Sequence, residues 1–60
     1  MKLFDDVIIK ATGQRGTIVD EGIARGRHYF IVELDNAADF DDEHALEAIP
    51  ACWDDALEPV

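Results

Sequence analysis

The run His28-Tyr29-Phe30-Ile31-Val32-Glu33-Leu34 constrains this chain more than any other feature. Tyr, Phe, Ile and Val are the types that fit a pleated, half-buried surface. A strand does not stand alone, because its backbone donors and acceptors need partners. The rest of the 60-residue chain must supply them. Alternation puts Phe30, Val32 and Leu34 on one face, and Tyr29, Ile31 and Glu33 on the other. The first face is apolar at all three positions and is predicted to lie inside. Tyr29 and Ile31 then lie outside or beneath a second layer.

Partners for this strand lie upstream. Val7-Ile8-Ile9-Lys10 is a short β-branched run, with Val7 and Ile9 predicted to face inward. Thr12-Gly13-Gln14-Arg15-Gly16 reads as a turn, since its glycines accept positive φ. Thr17-Ile18-Val19 is a second strand with Ile18 inside, and Gly22 to Gly26 reads as a polar loop. Asp35-Asn36 marks the turn after the long strand. Several short strands between glycine turns predict a small barrel or sandwich.

Downstream, Ala37 to Asp42 reads as a loop that carries Phe40. Glu43-His44-Ala45-Leu46-Glu47 fits a strand closing the sheet or the start of a helix, and both readings stay open. Pro50 disfavours helix in the residue before it, yet it opens helices well. Ile49, Trp53 and Leu57 recur at four-residue spacing, and Asp54 and Asp55 suit a helix N-terminus. One or two helical turns are predicted over Pro50 to Leu57, stopped by Pro59. Trp53 would then pack over an open end of the barrel.

Size sets further limits. A chain of 60 residues buries only about 60% of its unfolded surface. It is one domain, residues 1–60, without internal repeat or linker. Enzymes built on barrels of roughly 250 residues do not fit this length. No apolar run approaches the roughly 18 residues of a membrane span. Met1-Lys2-Leu3-Phe4 meets Asp5-Asp6 at once, unlike a cleavable signal, and a cytoplasmic location is expected. One cysteine excludes an internal disulfide framework.

Charge is unevenly placed. Residues 1–34 hold all five bases, Lys2, Lys10, Arg15, Arg25 and Arg27, against five acids. Residues 35–60 hold nine acids and no Lys or Arg, and so carry the whole net charge of −9. An acidic surface of this kind aids solubility, repels phosphate backbones and attracts basic partners.

The stretch Val7-Ile8-Ile9-Lys10…Gly13-Gln14-Arg15-Gly16-Thr17-Ile18-Val19 resembles the hairpin of KOW-type domains, which are small SH3-like barrels. Tyr29-Phe30-Ile31-Val32-Glu33-Leu34-Asp35 is similar to the third strand of such barrels, and its Val-Glu-Leu-Asp string also occurs in CAP-Gly domains. The outline, over roughly residues 5–47, resembles short uncharacterised bacterial barrels. The resemblance implies an all-β, SH3-like barrel of about five short strands with a C-terminal helical turn. Two departures limit what it carries over. Nucleic-acid-binding KOW modules are commonly basic and place Gly-Asp before the first strand, where this acidic chain has Phe4-Asp5-Asp6. CAP-Gly domains read acidic tails through Gly-Lys-Asn-Asp-Gly, which is absent after Asp35.

Catalytic and metal chemistry find little footing. His28, His44 and Cys52 lack the close ligand pairs of structural zinc sites. Cys52 has Asp54 and Asp55 nearby, and negative charge raises a thiol pKa, which opposes a reactive thiolate. Asp39, Asp41, Asp42 and Glu43 offer weak calcium ligands, but no glycine gives the segment the shape of a calcium loop. No enzyme activity, cofactor or metal is expected. Two surfaces remain. Tyr29 and Ile31, joined by Ile8, form an outward apolar set suited to a protein interface. Lys10, Arg15, Arg25 and Arg27, with Tyr29 for stacking, suit a strand of nucleic acid. The predicted function is a non-enzymatic acidic module that binds another protein. KOW-like nucleic-acid contact through the four bases is one alternative. The other is an acidic decoy for a basic nucleic-acid-binding protein. Oligomeric state stays open.

Overall fold

A computed structural model describes residues 1–60. Five strands form one antiparallel sheet: β1 (Asp6–Ile9), β2 (Arg15–Ala24), β3 (Arg27–Leu34), β4 (Ala51–Trp53) and β5 (Leu57–Pro59). Their spatial order is β4-β3-β2-β1-β5. The expected five strands are present, but the sheet is not closed into a barrel, because β4 and β5 remain its two edges. Each edge strand is only three residues long, and a proline stands in β5 and just before β4. Pro59 takes a backbone donor out of the β5 edge, whereas β4 carries no proline within its three residues.

The β2–β3 hairpin is the backbone of the molecule. Ala24 pairs with Arg27, so the turn is Arg25-Gly26, and both residues have positive φ (54° and 74°). That is the two-residue turn whose twist matches paired strands. β2 therefore runs through Gly22 and Ile23, where the sequence predicts a loop. A bulge at Val19 interrupts the register between Ile18 and Asp20 and bends the strand. The Arg15–Ile18 end joins β1, and the Asp20–Ala24 end reaches out with β3.

The core follows the predicted faces. Val7, Ile9, Ile18, Phe30, Val32 and Leu34 are buried together with Leu57, and Phe40 and Cys52 pack against them. Phe30 is only 2% exposed. With seven residues this cluster belongs to the size class in which a core supplies about 3–5 kcal/mol.

The second half departs more from expectation. Residues 43–47 fall within a 3-10 helix, Asp42–Ala48, which the Asp41 carboxylate caps by accepting from the His44 N–H. The helix expected over Pro50 to Leu57 is instead strand β4 followed by one 3-10 turn, Asp54–Ala56. The four-residue spacing of Ile49, Trp53 and Leu57 is coincidental in origin. Leu57 enters the core from β5, whereas Trp53 lies on the outer face, 36% exposed. Pairing with β3 outweighs the weak local helix signal, because a helix this short gains little by itself.

Candidate functional site

The outer face of β2, β3 and β4 carries the most distinctive surface. Register sets Tyr29 directly between Gly22 on β2 and Trp53 on β4, and Ile31 between Asp20 and Ala51. Strand alternation then aligns Arg27, Tyr29 and Ile31 with Trp53 and Ala51 on one face. Gly22 is what lets Tyr29 lie flat. A Cβ there would stand 2.5 Å from the tyrosine Oη and 2.6 Å from Cζ. The ring thus covers the glycine backbone, as aromatic residues do opposite glycine in sheets.

Beside Tyr29, a groove of about 320 Å³ opens along β4, lined by Ala24, Tyr29, Ala51, Cys52 and Trp53. No carboxylate, imidazole or ammonium group lines it. At its rim the Arg27 guanidinium lies 4.4 Å from the centroid of the Trp53 ring. Arg27 Nη2 also donates to Asp55 Oδ1 at 3.1 Å. Ring and carboxylate together fix where the cation sits, and the cation in turn fixes the ring. Burial pushes the Cys52 thiol above its ordinary value. The cause is desolvation, not the neighbouring aspartates that the sequence suggested.

Among the predicted interface residues, Tyr29 and Ile31 are neighbours and both half-buried. Ile8 does not join them. It pairs with Arg15, at the far end of β2 from Gly22, and seven residues of strand span about 20 Å. The four bases are likewise divided. Lys10 and Arg15 lie at the β1–β2 end, whereas Arg25 and Arg27 lie at the hairpin turn of the same ten-residue strand. Trp53, Ala24 and Ala51 are the site residues that sequence reasoning missed. The available signal was Gly22 opposite Tyr29, but it required knowing that β2 extends so far.

The histidines and the cysteine do not converge. His28 Nε2 lies 2.9 Å from Glu21 Oε1, and its ring stacks on Phe30 at 4.6 Å. His44 Nδ1 lies 2.6 Å from Asp41 Oδ1. Asp41, Glu43 and His44 bring their ligand atoms within 4.8 Å of one another, all exposed. Helix capping accounts for this arrangement, since the same Asp41 oxygen accepts the His44 N–H at 3.0 Å. Asp39 and Asp42 of the supposed calcium segment stand outside the group. All nine acids of residues 35–60 are exposed, and no helix is long and apolar enough to cross a membrane.

Comparison of the chain with protein-family models, curated proteins and solved structures found no match.

Proposed function

We propose that this protein is a non-enzymatic interaction module that binds another protein on the outer face of β3 and β4. The observation that carries this reading is the groove lined by Ala24, Tyr29, Ala51, Cys52 and Trp53 beside an open sheet edge. Its only ionisable groups are the Tyr29 hydroxyl and the Cys52 thiol, whose pKa burial raises. Such a lining excludes water and supplies contact area, but it offers no acid–base pair at neutral pH. The fold we assign to the module is SH3-like. Five short antiparallel strands and a single helical turn before the last one support that assignment.

The separation of the bases favours this reading over a nucleic-acid one. Counterion release grows with the number of phosphates contacted at once, and the chain presents only two bases at either end. A pull-down from native lysate, at low and high salt, tests the proposal. Wild-type protein should retain a defined partner at high salt, and Trp53→Ala should lose it while its circular dichroism stays unchanged. Capture lost at high salt and indifferent to Trp53→Ala would establish the acidic decoy instead. Retention of an oligonucleotide that vanishes in Arg25→Ala/Arg27→Ala would establish the KOW-like contact.

A further inference from the structure

We propose that the partner supplies a short, extended, basic segment that adds as a strand along the open edge of β4. This rests on the reading of that face as a protein-binding surface, and it specifies the chemistry of the partner.

The backbone gives the first argument. Val32 N–H donates to the Pro50 carbonyl at 3.0 Å. In an antiparallel ladder, bonded and non-bonded pairs alternate. The register Tyr29–Trp53, Phe30–Cys52, Ile31–Ala51 then makes Phe30–Cys52 the bonded pair. The N–H groups of Ala51 and Trp53 therefore point away from β3, toward the open edge. No turn, loop or cap hydrogen bond takes either of them. Two exposed donors at alternate positions are the template for strand addition.

The groove gives the second. It crosses the outer face from Ala24 and Tyr29 to the edge strand, where Ala51 and Trp53 themselves wall it. A strand added there lies about 4.8 Å from β4 and alternates its side chains. Those on the outer face enter the groove, so these positions are apolar. Length is limited on both sides. Pro50 has no donor, and the 3-10 turn Asp54–Ala56 ends the strand. About three or four residues of partner can pair.

Charge selects the rest of the segment. β4 is preceded by the turn bearing Asp42, Glu43 and Glu47 and followed by Asp54, Asp55 and Glu58, all exposed. The only base at this edge is Arg27, and Asp55 already holds it. Lysine or arginine at the alternate and flanking positions complements this rim and speeds encounter. A second copy of the chain is the poorer occupant, because it brings the same acids and its own net charge of −9.

The test uses the full-length protein labelled with ¹⁵N and three octapeptides. One alternates Lys and Val, one alternates Glu and Val, and one is the Lys-Val sequence with N-methylated backbone amides. The Lys-Val peptide should quench or shift the emission of Trp53, the single tryptophan. It should also slow hydrogen exchange of the Ala51 and Trp53 amides by about tenfold or more, with other amides little changed. The Glu-Val and N-methylated peptides should do neither. Equal binding of the N-methylated peptide, or binding without protection at Ala51 and Trp53, would overturn strand addition. Preference for Glu-Val would overturn the basic partner. Protection of both amides without peptide, rising with protein concentration, would make a second copy the occupant and overturn the proposal. If no peptide acts but lysate capture still depends on Trp53, strand addition alone falls. If capture is also indifferent to Trp53→Ala, the protein-binding face falls with it.

Discussion

Residues 6–34 and residues 35–60 reach one sheet by different routes. The first region supplies strands of four, ten and eight residues and six members of the core cluster. The second supplies two three-residue strands, three 3-10 segments (Ala37–Asp39, inside the stretch read as a loop, Asp42–Ala48 and Asp54–Ala56) and one core member, Leu57. The first is held by continuous ladders and a packed inner face. The second is held by brief pairings, a few apolar contacts and polar caps. The difference separates stability from recognition. The groove lies where a short strand of the second region meets the long hairpin of the first. Contact-poor segments are where binding surfaces are commonly found, because they are not committed to the core.

The largest break in this comparison should come from the first region. Phe30→Ala removes a fully buried aromatic and should cost about 3–5 kcal/mol. That approaches the whole stability expected of a core this small. The variant should be largely unfolded by circular dichroism at room temperature. Leu57→Ala, on an edge strand that relaxes more easily, should cost about 2–3 kcal/mol. Its melt should remain cooperative at a lower temperature. A larger loss for Leu57→Ala than for Phe30→Ala would mean that the second region, not the hairpin, holds the fold.

Two glycines sharpen the same contrast inside the hairpin. A Cβ at Gly16 would meet the Glu33 carbonyl oxygen and a Val32 methyl, both at 2.6 Å. The backbone oxygen cannot swing aside, so Gly16→Ala should cost about 1–3 kcal/mol as an overpacking change. At Gly22 the obstacle is the outer end of the Tyr29 ring. That ring can rotate away, and Gly22→Ala should cost less than about 1 kcal/mol. It should nevertheless displace Tyr29 and weaken partner capture. Thermal melts of both variants, beside a pull-down with Gly22→Ala, check the pair. Equal destabilisation would show that Tyr29 is as rigid as the backbone.

The hairpin was readable because burial and alternation agree along it. Phe30, Val32 and Leu34 point inward as their period-two pattern requires, and so do Val7, Ile9 and Ile18. The length of β2 was hidden by Gly22 and Gly26, which look alike in sequence. Only Gly26 has positive φ, while Gly22 stays in the strand under Tyr29. β4 was hidden more deeply. Its three residues form a strand solely because β3 pairs with them, and nothing local to Ala51-Cys52-Trp53 encodes that partner. The missed β4 explains why Tyr29 and Ile31 were legible as outward residues but Trp53 and the groove were not. Ile8 was grouped with them because a shared face is visible in sequence, whereas distance along the sheet is not.

Cys52 offers a smaller test from the second region. Burial raises its folded pKa above the ordinary value of 9.0. The folded state therefore keeps the thiol proton longer than the unfolded chain does. The associated stability is fully present below the unfolded value and is lost as pH rises through the folded one. As pH rises past the ordinary value of 9.0, wild-type protein should lose melting temperature faster than Cys52→Ala. The variant removes only this titratable group, so the contributions of the rest of the chain cancel in the comparison. Parallel curves would mean that the thiol is solvated and that β4 stands further from the core.

The smallest effect lies at one side-chain contact between the two regions. Arg27 belongs to β3, and it holds Trp53 and Asp55 from the second region. Its ion pair is exposed, and such pairs contribute about 0–1 kcal/mol. A cation over an exposed aromatic ring adds about 0.5–1 kcal/mol. Arg27→Ala should therefore lower stability by about 1 kcal/mol while changing Trp53 emission clearly. Asp55→Ala should cost less, since it leaves the guanidinium on the ring. A double-mutant cycle isolates the pair from the stacking, because Arg27 and Asp55 are in direct contact. Their coupling should be below about 1 kcal/mol and should shrink as salt screens it. The Trp53 signal should persist in salt, because the stacked guanidinium stays partly desolvated. An additive cycle with unchanged emission in Arg27→Ala would show that Arg27 does not order the ring. At this end of the sheet the two regions would then be joined by the β3–β4 ladder without help from Arg27, and Trp53 would be free to turn toward whatever occupies the groove.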